Sequence, residues 1–194
     1  MSLQTRPRLT PEEYLALERS ATSKSEFFNG EMIAMAEATE EHVLIVVNVA
    51  GELRAQLRGR PCRTYSTDMR VKVSETGLYT YPDVVVVCGE PQFEDEHRDT
   101  LLNPTAIVEV LSPSTEAYDR GEKFAHYQGL GSLREYVLIA QDRYRVEQYV
   151  WQQEGQWLYS EVRGLGESVH LPSIGCDLAL SEVYDKVTVA TSSL

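Results

Sequence analysis

Two carboxylates occupy places where carboxylates are costly. Asp83, in Tyr81-Pro82-Asp83-Val84-Val85-Val86-Val87, and Glu109, in Ala106-Ile107-Val108-Glu109-Val110-Leu111, each put one charge into an otherwise apolar strand pattern. Taking such a charge out of water is unfavourable unless a partner or a metal compensates it. Two of them in apolar strands therefore point to a shared divalent cation. Mg²⁺ fits, because it takes oxygen ligands and typically uses one or two protein carboxylates, leaving positions for water and a phosphate oxygen. Mn²⁺ suits the same hard donors. The carbonyl of Val110 is a candidate further ligand.

Lys123 follows on a predicted helix, with Asp119 at i−4 and Tyr127 at i+4, so the three share a face. An ammonium beside a metal orients an attacking water or stabilises charge developing on a scissile phosphate. The structural alternatives are concrete. Asp83 caps a strand, Lys123 is a solvated helix lysine paired with Asp119, and Glu109 salt-bridges an arginine. Taken singly these compete with the functional roles, whereas two acids in apolar strands together favour a site.

The elements that must position these residues are legible. Thr10-Pro11-Glu12-Glu13 is a capping box with proline in the first turn, predicting a helix to about Arg19. Asn29-Gly30, between Phe27-Phe28 and Met32-Ile33, predicts a tight hairpin. Val43, Val46, Ala50, Leu53 and Leu57 recur at helical spacing, predicting a helix over 40–58 that ends at Gly59 and packs on a sheet. Strand patterns follow at 62–66, 69–73, 81–88 and 105–111, and the acidic stretch 90–100 reads as an exposed loop. Val84 to Val87 is a β-branched run of the kind buried on both faces. After Ser112-Pro113-Ser114-Thr115 a helix is predicted to about Gln128, then strands over 136–140, 146–151 and 156–162 and a last helix over 180–187. With no repeat or linker, the expectation is one mixed α/β domain over residues 1–194.

Composition bounds the partners. The chain has 194 residues, 42% hydrophobic and 25% charged, enough for a proper core. No apolar run is long enough to span a membrane and the first residues lack signal-peptide character. Cys62, Cys88 and Cys176 are odd in number and far apart, which reads as reduced thiols and makes the cytoplasm the default. The net charge of −12 argues against tight nonspecific DNA binding but leaves room for a metal-dependent phosphodiesterase. Arg54, Arg58, Arg60, Arg63 and Arg70 could supply a local positive field or form a solvated face.

Lys24-Ser25-Glu26-Phe27-Phe28-Asn29-Gly30-Glu31, His42, Pro82-Asp83-Val84-Val85-Val86-Val87 and Val108-Glu109-Val110-Leu111-Ser112-Pro113-Ser114-Thr115, with Asp119, Lys123 and Tyr127, resemble the Uma2 family. The resemblance runs from Leu9 to about Val187. It implies a restriction endonuclease-like fold of the PD-(D/E)xK type, a central mixed β-sheet flanked by helices, with Mg²⁺ dependence and phosphodiester cleavage. Carried over by position, Asp83 is the motif aspartate, Glu109 the second acid and Glu26 an acid from the N-terminal hairpin. One departure matters: the motif lysine stands two residues after the second acid, where this chain has Leu111. Lys123 would then deliver its amine from the following helix. Val137 and Ala140 replace a tryptophan and an aspartate usual in similar proteins, touching packing or dimer contacts rather than the metal centre.

Other polar residues keep two readings. Glu26 is a third carboxylate near the metal or a solvent-facing strand residue. His42 contacts phosphate or caps its helix, with the structural reading favoured, and Ser112, Ser114 and Thr115 bind phosphate or cap. Asp68, between two strand patterns, reaches the site or, as the cheaper explanation, is a turn aspartate. The resulting expectation is a Mg²⁺-dependent endonuclease acting on DNA, as a homodimer, with Asp83, Glu109, Lys123 and Glu26 catalytic and Asp83, Glu109 and Val110 on the metal. The alternative is a noncatalytic nucleic-acid or protein interaction module that keeps the fold.

Overall fold

Valines of one strand divide between two cores, and this organises the molecule. The computed structural model describes residues 8–189. Strand β6 (Val84–Cys88) and strand β8 (Ala106–Leu111) are central in a six-stranded mixed sheet, of order β11-β10-β9-β8-β6-β3. Its other strands are β3 (Cys62–Ser66), β9 (Glu135–Ala140), β10 (Arg145–Trp151) and β11 (Trp157–Arg163). Within this sheet only β8 and β9 run parallel, joined by the helical crossover that carries Lys123. Side chains alternate along a strand, so Val84 and Val86 enter one core while Val85 and Val87 enter the other. All four are fully buried, as a run without polar alternation requires.

Helix α2 (Glu40–Gln56) covers the first face with helix α5 (Leu180–Val183) and the hairpin of β12 (Ser168–Leu171) and β13 (Cys176–Ala179). Thr39 caps α2, its hydroxyl accepting from the His42 N–H, and Ile45, Val46, Val49 and Leu53 point inward. The second face packs against a five-stranded sheet of order β2-β1-β5-β4-β7 and the segment after β8. That sheet comprises β1 (Ser25–Phe28), β2 (Glu31–Ala34), β4 (Arg70–Val73), β5 (Leu78–Thr80) and β7 (Thr100–Leu101). Helix α1 (Pro11–Glu18) lies on its far side, with Tyr14 packed on Phe27 and Tyr79. The architecture is mixed α/β, with sheets flanked by helices, as the sequence predicts.

The predicted caps and turns are in place. Thr10 and Glu13 exchange both capping-box bonds. Asn29 and Gly30 both have positive φ, 51° and 83°, which a type I′ hairpin turn demands. Val137 and Ala140 are buried inside the chain.

Four expectations change. Cys62 and Cys88 are joined in a disulfide, not reduced, because the antiparallel β3–β6 register sets them opposite each other. Their separation of 26 residues gives no hint of this pairing. Cys176 is free and buried. The stretch 90–100 is no free loop: Asp95 and Asp99 pair with Arg19, Asp99 also with Arg70, and Glu94 with Lys72. The arginine run divides, since Arg70 is buried against Thr100 and Tyr81, away from the others. The helix after β8 is α3 (Glu116–Tyr118), a π-helical turn (Asp119–Lys123) and α4 (Phe124–Tyr127) rather than one regular helix. Among the described residues, no helix is long and apolar enough to cross a membrane.

Candidate active site

The β6–β8 register brings the two acids together. Val84 faces Val108, and one step further sets Asp83 across from Glu109. Both lie on the face occupied by Val85 and Ile107, turned toward the crossover helix. The Asp83 N–H donates to Glu109 Oε2 at 3.4 Å, and the Val110 N–H donates to Asp83 Oδ2 at 2.8 Å. In a strand the N–H and C=O of one residue point to the same edge. The Val110 carbonyl therefore faces the edge on which Asp83 lies.

Lys123 reaches the pair from the π-turn. Its Nζ lies 2.9 Å from Glu109 Oε1, 3.2 Å from Glu26 Oε1 and 3.5 Å from Asp119 Oδ1. Asp119, Lys123 and Tyr127 are all buried, on the shared face their spacing predicts. The π-turn sharpens that alignment. Over eight residues an unbroken α-helix rotates about 80° beyond two full turns, and the extra residue of a π-turn takes most of this back. Asp119 then meets Lys123 while the Tyr127 hydroxyl donates to Glu109 Oε1 at 2.8 Å. Leu111, where the motif lysine would stand, packs with Phe124 and Leu138 in the core.

Glu26 arrives from β1. Alternation turns Phe27 toward α1 and Glu26 toward the crossover, where it accepts from Thr80 Oγ1 and, at 3.5 Å, from the Tyr118 hydroxyl. Its solvent-facing reading is thereby excluded, for it is 8% exposed. His42, favoured as a structural residue, instead puts Nε2 3.0 Å from Asp83 Oδ1. Sequence reasoning underweighted it because the contact depends on how α2 docks on the sheet. Asp119 and Thr80 were likewise outside the predicted set, although the i−4 spacing to Lys123 signalled Asp119. Ser112, Ser114 and Thr115 bond one another in a local turn, and Asp68 is an exposed turn residue paired with Lys24.

The electrostatics are unbalanced. Asp83, Glu109, Glu26 and Asp119 surround one ammonium and one imidazole, all largely buried. Burial pushes the Glu109 carboxyl upward, opposed by Lys123 and reinforced by Asp83 and Asp119. Burial also raises Asp119. For Lys123 burial works against the charge, but Glu109, Glu26 and Asp119 outweigh it and hold its pKa well above the ordinary value. Among the described residues, no three His, Cys, Asp or Glu side chains converge as a ready-made metal cage. The donor chemistry nevertheless fits an ion bound by two carboxylates and water, since the donors are hard oxygens and negative charge is in excess.

Comparison with known proteins gives the family and the fold. Residues 11–181 match the family model described as "Uma2: Putative restriction endonuclease". Two Synechocystis sp. relatives are named "Uncharacterized protein sll1609", 40% identical over 84% of this chain and 93% of its own length, and "Uncharacterized protein slr1290", 34% identical over 92% of each. A crystal structure described as a putative nuclease belonging to DUF820, from Anabaena variabilis, superposes with a TM-score of 0.74 at 20% identity. The match covers 91% of this chain and 98% of that one and carries the fold. With the family model spanning most of its length, the chain belongs to the Uma2 family.

Proposed function

We propose that this protein is a Mg²⁺-dependent endonuclease that hydrolyses phosphodiester bonds of DNA. The observation that carries the reading is buried Glu109, which bonds both the Asp83 N–H and the Lys123 ammonium where carboxyl groups outnumber cations. Asp83 and Glu109 would hold the ion, with the Val110 carbonyl beside them, and Mn²⁺ would substitute. When bound, the ion supplies Lewis acidity to the phosphoryl oxygen and lowers the pKa of a water.

The chain's own groups do the rest. His42 Nε2 and the Val110 N–H fix the two oxygens of Asp83, while Tyr127 fixes Glu109. Such partners hold a carboxylate in one orientation, as second-shell bonds do at metal sites. Lys123, kept protonated by its three carboxylates, acts as a hydrogen-bond donor and point charge rather than as a base. Its task is to neutralise charge on the phosphoryl oxygens as a water oxygen bonds to phosphorus and the ester oxygen departs in line. Glu26 steers that amine as well, 3.2 Å from it. The catalytic set is thus Asp83, Glu109, Lys123 and Glu26 within a single domain. Cutting both strands takes two such sites, which a symmetric homodimer supplies.

A second reading is a noncatalytic module that binds nucleic acid or protein, and the net charge of −12 favours its protein-binding form. Plasmid nicking separates them. Purified protein with Mg²⁺ or Mn²⁺ should relax supercoiled DNA, chelator should stop it, and Asp83→Asn and Glu109→Gln should each lose at least 100-fold, about 2.7 kcal/mol of barrier. A wild-type protein that never nicks, in either metal, would leave only the module.

A further inference from the structure

In a chain with 30 acidic and 18 basic residues, an arginine without a carboxylate partner is unexpected, yet three stand close together. Among the described residues, Arg54, Arg58 and Arg60 form no salt bridge with any acid. Arg63 makes only a long one, 3.7 Å to the exposed Glu90. These four arginines line a single depression of about 310 Å³ at the end of α2 and the edge strand β3. Arg60 is anchored, donating to the carbonyls of Ile174 and Gly175, and Arg63 donates to the Gly89 carbonyl. Anchoring of this kind holds guanidinium groups in place without neutralising them. An oxyanion seated in the depression would satisfy the arginines together.

We propose that this depression takes a backbone phosphate of double-stranded nucleic acid. The inference rests on the nuclease reading for the choice of duplex over a small anion. Guanidinium groups match phosphate geometry, and backbone phosphates are what arginines on a nuclease surface engage. The position fits a flanking contact. β6 runs from the acids to this end of the sheet, about 17 Å at 3.4 Å per residue. α2 runs the same way, about 24 Å from His42 to Arg58 at 1.5 Å per residue. That distance corresponds to roughly five to seven base pairs along one strand at 3.4 Å each. His42, which reaches Asp83 from α2, and the arginines stand at opposite ends of that helix, so a duplex lying along α2 would meet both about half a turn apart. An acidic protein gains little from diffuse attraction to DNA, so a confined basic site supplies attraction where its net charge does not.

The test is the salt dependence of duplex binding, followed by fluorescence anisotropy in chelator so that cleavage plays no part. Arg54→Ala with Arg58→Ala removes two exposed charges outside the core, and a thermal melt confirms folding. For a 20-base-pair duplex, the slope of log K against log salt should shrink by roughly 2 and affinity should fall about tenfold or more at low salt. Equal affinity and slope in wild type and the double variant would overturn the proposal. Competition by inorganic phosphate at the arginines, with duplex binding unmoved by the variant, would also overturn it and make this a small-anion site. Wild-type protein that binds duplex with the arginine-dependent slope but never nicks plasmid would refute the nuclease and leave the docking site standing.

Discussion

Replacing Lys123 with methionine removes the one ammonium from a nest of acids while keeping the length and much of the volume of the side chain. Lys123 lies 2.9, 3.2 and 3.5 Å from Glu109, Glu26 and Asp119 and is 5% exposed. Breaking a buried pair strands the partner charge, which typically costs about 3–5 kcal/mol. For a chain of this size that converts to a melting temperature lower by roughly 6–20 °C. The assay is thermal unfolding in chelator at pH 7, with Glu109→Gln and the double variant beside it. The double variant should recover at least about 1 kcal/mol relative to Lys123→Met alone, because the glutamine removes the charge left unpaired. Adding Mg²⁺ should restore part of the loss, since any ligand of the native state stabilises it. A Lys123→Met protein that melts within 1 °C of wild type would show that the ammonium does not balance these acids, and the electrostatic account would fail.

Three further outcomes follow from geometry elsewhere. Arg120 Nε and Nη2 lie 2.9 and 2.8 Å from the oxygens of buried Glu147 and fasten the π-turn to β10, so Glu147→Gln should lower kcat through Lys123 with little change in KM. Retained kcat would refute that link. Asp99 is held below the usual carboxylate range by hydrogen bonds from Arg19, with Arg70 adding to the effect, so its stabilisation is present above an unfolded pKa of about 3.9 and lost as pH falls through the lower folded value. Urea midpoints at pH 7 and pH 3 should therefore fall less in Asp99→Asn than in wild type, by about 1 kcal/mol for this partly exposed group, and parallel falls would contradict it. Breaking the Cys62–Cys88 bridge, by Cys62→Ser with Cys88→Ser, frees a loop spanning 26 residues and should cost at most about 3.5 kcal/mol in denaturant unfolding, whereas no change would show that the bridge is not formed.

Much of this was legible in the sequence because it is local. Thr10 and Glu13, Asn29-Gly30 and the α2 periodicity are each set by residues a few positions apart. The site was legible for a different reason: a carboxylate in a β-branched run is an electrostatic anomaly whatever the fold, and Lys123 with Asp119 and Tyr127 carries its own helical spacing. Register and docking were not legible. His42 meets Asp83 only because α2 lies beside the start of β6, and Cys62 meets Cys88 only because β3 pairs with β6 in one register. Strands β5 and β7 escaped because they are three and two residues long, too short for alternation to show. The π-turn escaped because the sequence predicts a helix but not its local widening.

The pairing of Asp83 with Glu109 around a cation is the claim on which the rest depends, and Mn²⁺ titration followed by calorimetry measures it without needing a substrate. The wild-type protein should bind about one Mn²⁺ per chain, Mg²⁺ should compete, and Asp83→Asn and Glu109→Gln should each weaken binding at least tenfold while Glu182→Gln, on the exposed side of α5, leaves it unchanged. Binding that survives in both site variants would place the ion elsewhere and contradict the account.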